Sequence, residues 1–229
     1  VETFFSTCGV CPYCRAGKLS VCEQRRSIGS HVDGGMAPRL VIPARNLHRV
    51  PDALPDAAAA LSEPLACVCN SLLDPSAVQP GDDVLVIGPG AIGLIAAQVA
   101  RACGGRVTVR GAERDGARLA LAGVLGFETS VAGRDGPPSA DVVVECSGSA
   151  PGIADALSAG ARFLVSPGAT PTLLDGLQAA EVPFLPGTAT ASDLVALTER
   201  GITHAKLFPA EVVGGVSALK AFAGPFPQM

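Results

Sequence analysis

Short apolar runs alternate with helical patterns along the second half of the chain. Residues 84–87 form a continuous apolar run typical of a buried strand, and apolar residues then recur at helical spacing from Ile92 to Cys103. Gly104 and Gly105 end that predicted helix. Similar runs predict further strands at 107–109, 142–144, 163–165, 182–185 and 205–208. This alternation predicts an α/β fold with a parallel sheet.

Composition and the pattern of predicted elements divide the chain into three segments. Residues 1–80 begin with a stretch rich in Cys, Gly and Arg and continue into a proline-rich stretch, whose alanines at 57–60 predict one helix. Residues 81–157 carry the strongest strand and helix patterns. In residues 158–229 the predicted strands follow one another at a shorter and more regular spacing, with Phe163, Phe184 and Phe208 spaced almost evenly. We therefore expect an architectural change near residue 158.

Composition excludes several classes of function. The 229 residues are 48% hydrophobic, and 17 Lys+Arg against 21 Asp+Glu give a net charge of −4. An acidic chain lacks the basic footprint of a nucleic-acid or anionic-membrane binder. The longest uncharged run, 84–100, is shorter than a membrane span and contains Gly88-Pro89-Gly90. No export signal is seen, so we expect a cytoplasmic protein.

Four of the eight cysteines lie close together in the pattern C-x2-C-x2-C-x7-C, namely Cys8, Cys11, Cys14 and Cys22. Four thiolates brought together by tight turns suit tetrahedral zinc, and four protein ligands make such a site structural. Two disulfides and an iron–sulfur cluster are the alternatives. The other cysteines lie singly among apolar residues, and we expect them to be buried thiols: Cys67, Cys69, Cys103 and Cys146.

A glycine-rich turn follows the first predicted strand of the middle segment. Gly88, Gly90 and Gly93 form G-x-G-x-x-G between strand 84–87 and the following helix, which is the context expected of a dinucleotide-binding turn. Gly88 would make the turn, Gly90 would let the backbone approach a pyrophosphate, and Gly93 would allow close packing. Ala91 and Ile92 complete the predicted cofactor-binding turn. A plain strand–turn–helix is the alternative.

The end of the second strand bears on the choice between NAD and NADP. An NAD site expects a carboxylate there, yet the sequence has Arg110-Gly111, with Arg114 nearby. We expect Arg110, Gly111 and Arg114 to accept a 2′-phosphate, which favours NADP slightly over NAD. Solvated arginines are the alternative, and Glu113 could reach the ribose from the loop.

The first two segments resemble the zinc-containing medium-chain alcohol and polyol dehydrogenases. The stretches that carry this resemblance are Cys8–Cys14 with Cys22, Gly34-Gly35-Met36-Ala37, Val41-Ile42-Pro43, Ser62-Glu63-Pro64-Leu65-Ala66 and the glycine-rich turn, up to about residue 157. The Glu-Pro-Leu-Ala pattern is most similar to the sorbitol, idonate and threonine dehydrogenase branch. The resemblance implies a partial GroES-like lobe with a structural zinc, a Rossmann-like sheet, and a catalytic zinc of which Glu63 is the one matching residue. The family's other ligands for that zinc precede the cysteine motif and are absent from this sequence.

The third segment is similar to the 2-keto-3-deoxy-6-phosphogluconate aldolases, which are (β/α)8 barrels. The similar stretches are 160–168, 185–190, 206–211 and 223–227. The resemblance implies that Lys206 forms a Schiff base and that Pro167 and Phe208 line a pyruvate pocket. Alternation places His204, Lys206 and Phe208 on one strand face, which we expect to point inward. A solvated lysine is the alternative.

Together these observations predict a chimera or fragment in which the Rossmann-like sheet continues into aldolase-type βα units. Three hypotheses follow: a zinc- and NAD(P)-dependent dehydrogenase of polyols or sugars that is incomplete for catalysis, a Schiff-base aldolase acting on a keto-acid phosphate, or a non-catalytic zinc- and nucleotide-binding remnant. Exposed apolar surface at the incomplete edges would favour homo-oligomers.

Overall fold

The structure is a computed structural model that describes residues 1–73, 75–161, 164–166, 168–208, 210 and 213–229, apart from the side chains of Val21 and Val165. The strands in these residues are β1 (Phe4–Ser6), β2 (Arg26–Ser27), β3 (Asp83–Ile87), β4 (Arg106–Gly111), β5 (Glu128–Val131), β6 (Val142–Glu145), β7 (Leu164–Val165), β8 (Phe184–Leu185), β9 (Gly187–Thr188) and β10 (Lys206–Leu207). The α-helices are α1 (Pro12–Arg15), α2 (Asp56–Ala59), α3 (Ser62–Leu73), α4 (Ala91–Ala102), α5 (Gly116–Val124), α6 (Ala150–Ser158), α7 (Pro171–Ala179), α8 (Ala191–Glu199) and α9 (Gly215–Ala223). Short 3-10 helices within the described ranges span Leu19–Val21, Ala44–Asn46 and Glu113–Asp115.

The centre of the molecule is a four-stranded parallel sheet in the order β5-β4-β3-β6. Its middle strand, β3, buries both faces, as its continuous apolar sequence predicts. Val84 and Val86 pack on one face with α4, α5 and Phe127. Leu85 and Ile87 pack on the other face against Ala156 of α6 and against Ala159, the C-cap of that helix. The sheet is therefore covered by helices on both faces.

The strand order places a topological switch beside β3, since β4 lies on one side of it and β6 on the other. In open parallel sheets a ligand crevice forms at the carboxyl ends of the strands at such a switch. Here Ile87, Gly111 and Glu145 end the three strands that meet there.

The N-terminal segment is mostly loop around one antiparallel pair, β1 and β2. Asn46, only 3% exposed, ties this segment together because its amide donates to the carbonyl of Phe4 over 2.6 Å and to that of Phe5 over 3.3 Å. Farther along, α3 packs against α4 through Val68, Leu72 and Ile95.

The expected continuation of the central sheet is not found in the described residues. Strand β7 pairs with β8, and β9 pairs with β10, as two separate parallel ladders. Leu164 of β7 instead joins a second core with Ile153 of α6 and Leu174 of α7. Because β7 pairs with β8 and not with β6, it does not extend the central sheet in the described residues. The described part of the chain also contains no helix that is long and apolar enough to span a membrane.

Candidate functional sites

The four clustered cysteines form a compact pocket of sulfur atoms. The Sγ atoms of Cys8, Cys11, Cys14 and Cys22 all lie within 4.8 Å of one another, and all four residues are free thiols. The Sγ atom of Cys8 lies 3.8 Å from that of Cys14 and 3.6 Å from that of Cys22. A tetrahedron with Zn–S bonds of about 2.3 Å has edges of about 3.8 Å. The donor set therefore fits a tetrahedral zinc ion.

Backbone geometry prepares these sulfurs to carry charge. The amides of Cys11 and Cys14 each donate to a cysteine sulfur three residues earlier, over 3.4 Å. Backbone amides of Val10 and Cys11 lower the pKa of Cys8 to about 6, whereas desolvation raises the pKa of Cys14 to about 11. The backbone amides thus favour the thiolate form of Cys8, which is the form that binds a metal cation.

The glycine-rich turn has a distinct steric role at each glycine. Gly88 has φ +99°, and a Cβ there would lie 2.7 Å from the amide nitrogen of Ser147. A Cβ on Gly93 would lie only 1.9 Å from the carbonyl oxygen of Gly88, so the helix packs directly on the turn. A Cβ on Gly90, in contrast, would meet no atom within 4 Å.

Gly90 is also the N-cap of α4, and no side chain caps that end of the helix. Ala91 and Ile92 begin the helix there, with the Ile92 side chain exposed. The first amides of a helix in this state form a natural site for an anion.

A cavity of about 320 Å³ opens beside this turn at the carboxyl ends of β3 and β4. It lies at the topological switch point, and α6 forms one of its walls through Pro151, Gly152 and Asp155. Gly88, Gly111 and Arg114 line the rest of the opening together with their neighbours.

The loop after β4 leaves one cation facing this cavity. Arg114 is exposed and lines the opening. Glu113, the carboxylate considered for the ribose, forms an ion pair with Arg134 instead. Gly111 stands where the resemblance places a carboxylate, and a Cβ there would lie 2.9 Å from the ring of Pro89.

Arg110 differs from both sequence-based interpretations. Its side chain is 2% exposed, and its guanidinium donates to both carboxylate oxygens of Asp155, over 2.8 and 3.3 Å. It also donates to the Ser130 hydroxyl over 2.5 Å and to the carbonyls of Asp135 and Gly136. Because these protein acceptors occupy the guanidinium, Arg110 is neither solvated nor directed at a 2′-phosphate.

The polar cluster at the end of β6 was not predicted from the sequence. The carboxylate of Glu145 accepts from the amides of Ser147 and Gly148 over 2.7 and 3.2 Å, and also from the Ser147 hydroxyl. The hydroxyls of Ser147 and Ser149 lie 2.9 Å apart on the cavity wall. The signal was the polar stretch directly after an apolar strand, where parallel sheets place ligand contacts.

The Cys146 thiol lies in apolar surroundings between the glycine-rich turn and the polar cluster at the end of β6. Burial, with a contribution from the charge of Glu145, raises its pKa to about 12. This side chain is therefore an inert thiol at neutral pH.

Glu63 lies in the first turn of α3 and accepts from the thiol of Cys67 over 3.4 Å. Cys67 is exposed, which corrects the expectation that it is buried. Within the described residues, the cysteine pocket is the only group of three or more His, Cys, Asp or Glu side chains arranged to hold a metal ion. The structure therefore does not bring Glu63 together with a second set of ligands in this part of the chain.

The orientation expected for Lys206 also requires correction. Ala205 and Leu207 line an apolar cavity of about 250 Å³, so the packed face of β10 is theirs. Lys206 lies on the opposite face, where its Nζ atom is 4.5 Å from the ring centroid of Phe208. Phe208 itself is 41% exposed. Pro167, the third predicted residue of this pocket, lies outside the described residues.

Comparisons with known proteins divide between two families. Sorbitol dehydrogenase of Halalkalibacterium halodurans is 38% identical over 162 residues, which cover 66% of this chain and 47% of that protein. A sequence model of the family described as KDPG and KHG aldolase matches residues 141–229. The chain is similar to two enzyme families. The aldolase match begins at β6 and so includes a strand of the central sheet.

Solved structures share the dehydrogenase-like fold. A protein described as a zinc-binding dehydrogenase from Sinorhizobium meliloti 1021, solved bound to NADP, is 30% identical with a TM-score of 0.59 over 79% of this chain and 58% of that one. L-Idonate 5-dehydrogenase of Escherichia coli, at 21% identity, has a TM-score of 0.63 over 97% of this chain and 71% of that one, and shows the fold alone. The chain spans about half the length of the curated sorbitol dehydrogenase that it matches.

Proposed function

We propose that this chain is a zinc-stabilised, NAD(P)-binding protein of the alcohol and polyol dehydrogenase type. One observation carries the proposal: the turn before α4 is sterically closed at Gly88 and Gly93 but open at Gly90, beside a cavity at the switch point of the sheet. A pyrophosphate needs this arrangement, because its oxygens must approach the backbone amides closely. Residues 81–157 form the nucleotide-binding segment in this proposal.

NADP is the favoured nucleotide within this proposal. Gly111 offers no carboxylate for a ribose hydroxyl, and Glu113 is held by Arg134. Arg114 lines the cavity and is the cation available to pair with a 2′-phosphate. The NADP-bound relative from Sinorhizobium meliloti supports the same choice.

Zinc would be held by the four cysteines of the N-terminal segment, residues 1–80. Four thiolate ligands leave no open position on the ion, so it would cross-link the loop rather than take part in a reaction. The Sγ distances around Cys8 support this role.

Dehydrogenases of this type transfer a hydride between a nicotinamide and a sugar or polyol, with the help of a catalytic zinc. Glu63 alone cannot hold a catalytic zinc, which takes three protein ligands and one open position. We therefore propose that the chain by itself binds zinc and nucleotide without turning over a polyol. A cytoplasmic location and homo-oligomers remain predictions.

The test combines elemental analysis with a thermal shift assay on the purified chain. We expect one zinc per chain and a higher melting temperature with NADP than with NAD. The variant Cys22→Ser should lose zinc, whereas Cys67→Ser, a change at an exposed cysteine outside the pocket, should keep it. A chain that holds no zinc and shows no shift with either nucleotide would refute the proposal, and turnover of a polyol by the chain alone would refute its non-catalytic part.

A Schiff-base aldolase is the second candidate, favoured by the family match over residues 141–229, which include Lys206. In that reaction a neutral lysine amine attacks the keto carbonyl of pyruvate, and water leaves as the imine forms. Borohydride would reduce the imine to a stable secondary amine. Mass spectrometry should then find the adduct on Lys206 and not on Lys220, the matched control in α9. Labelling of neither lysine would exclude this candidate.

A further inference from the structure

The side chain of Arg110 joins three elements around the proposed nucleotide site. It extends from β4 to Ser130 in β5, to the carbonyl of Asp135 over 2.9 Å in the turn that follows, and to Asp155 in α6. Asp155 is 45 residues away in sequence, and its carboxylate is 22% exposed. Such a bidentate arginine–carboxylate pair fixes both distance and orientation between the elements that carry it.

The main chain of the same residue holds the glycine-rich turn. The carbonyl oxygen of Arg110 accepts from the amide of Gly88 over 2.8 Å. Arg110, Gly88 and Asp155 all line the same cavity. One residue thus holds the turn through its backbone and the opposite cavity wall, α6, through its side chain.

Helix α6 packs into two cores at once. Ala156 and Ala159 lie against Leu85 and Ile87 of the central sheet. Ile153, one turn before Ala156, belongs to the second core with the leucines of α7 and α8, namely Leu173, Leu174, Leu177 and Leu197. Any restriction of α6 at the cavity therefore acts directly on this second core.

We propose that Arg110 and Asp155 are a positioning pair that links occupancy of the nucleotide cavity to the stability of α7 and α8. This inference rests on the proposed nucleotide-binding function. The pair holds α6 to the strand and turn that bind the nucleotide, so a bound nucleotide must be released before the pair can break and α6 can unfold locally with the second core. Binding therefore suppresses that opening, by up to about 100-fold at a ligand concentration about 100 times Kd.

Hydrogen exchange measured with and without NADP tests the link. In the wild-type chain, saturating NADP should slow exchange in α7 and α8, which lie outside the cavity. In Asp155→Asn, at the same multiple of its own Kd, this protection should be lost while protection of the turn at Gly88 persists. Asp83→Asn is the matched control, because Asp83 also accepts from an arginine Nε over 2.8 Å but lies at the opposite ends of the strands, and it should keep the protection.

A second variant keeps the test valid if Asp155→Asn fails to fold. Breaking a buried pair leaves an unpaired charge, whereas replacing both partners with apolar residues is often neutral for stability. Arg110→Met/Asp155→Leu should therefore fold, bind NADP about tenfold more weakly and show no protection of α7 and α8. A purely structural pair would leave the protection intact in this folded double variant, and that result would overturn the inference alone. Absence of any nucleotide binding by the wild-type chain would overturn both the inference and the function on which it rests.

Discussion

The Cδ atom of Pro89 lies 2.9 Å from the point that a Cβ atom on Gly111 would occupy. Pro89 is fully buried within the glycine-rich turn, and Gly111 ends the neighbouring strand β4. The turn that would bind the pyrophosphate therefore excludes a side chain at the position where an NAD site carries its carboxylate. The proline and the missing carboxylate are two parts of one packing arrangement.

This contact predicts how the protein responds to a restored carboxylate. Gly111→Asp should lower the free energy of unfolding by about 1–3 kcal/mol through overpacking and should not by itself produce an NAD site. Pro89→Ala/Gly111→Asp should recover stability and bind NAD in preference to NADP. Denaturant unfolding and nucleotide titrations measure both effects. Gly116→Asp, where a Cβ meets nothing within 4 Å, is the control and should change neither.

Arg114 is predicted to determine the affinity for the 2′-phosphate. Arg114→Ala should weaken NADP binding by about 10–100-fold, the usual range for losing a charge-assisted contact, and leave NAD binding nearly unchanged. Titrations of both nucleotides provide the measurement. Arg118→Ala removes an arginine that instead pairs with Asp115 over 3.4 Å, and it should affect neither affinity. Equal losses for NAD and NADP in Arg114→Ala would disprove a role at the 2′-phosphate.

Parts of this molecule could be predicted because they are local in sequence. Strand β3 and helix α4 follow directly from an apolar run and a helical repeat separated by a glycine-rich turn. The cysteine pocket was predictable in the same way, since tight turns bring its four thiols together within fifteen residues.

Other parts depend on contacts that no local pattern records. Strand β5, with the sequence Glu-Thr-Ser-Val, lacks an apolar run because it is an edge strand paired only with β4 among the described residues. Arg110 looked like a ligand-binding or solvated arginine because its partners Ser130 and Asp155 lie 20 and 45 residues away. The face of Lys206 was also misassigned, since strand alternation defines two faces without saying which one packs.

Helix α8 begins with a capping box that should make the second core sensitive to acid. The carboxylate of Asp193 accepts from the amides of Ala189 and Thr190 over 2.9 Å each, and these bonds lower its pKa. A lowered pKa means that the stabilisation is present above the unfolded value, near pH 4, and is lost as the pH falls through the folded value.

Asp193→Asn should therefore reduce the free energy of unfolding by about 1 kcal/mol at pH 7, and the difference from wild type should vanish in strong acid. Chemical unfolding monitored by circular dichroism at several pH values measures this difference. Glu199→Gln, an exposed change at the other end of α8, should stay within about 0.5 kcal/mol of wild type. A difference for Asp193→Asn that does not change with pH would contradict the assigned cause.

The most direct test of the central claim is calorimetric titration of NADP into the wild-type chain and into Gly90→Asp. Aspartate is a good N-cap and its Cβ has open space at this position, so the variant should fold with an unchanged melting temperature. Its charge would face the pyrophosphate and should abolish binding, while the neutral Gly90→Asn should bind with an intermediate affinity. One NADP bound per wild-type chain, with none bound by Gly90→Asp, is the predicted result. Equal binding by the two proteins, or no binding by the wild type, would contradict the assignment of this turn as the nucleotide site.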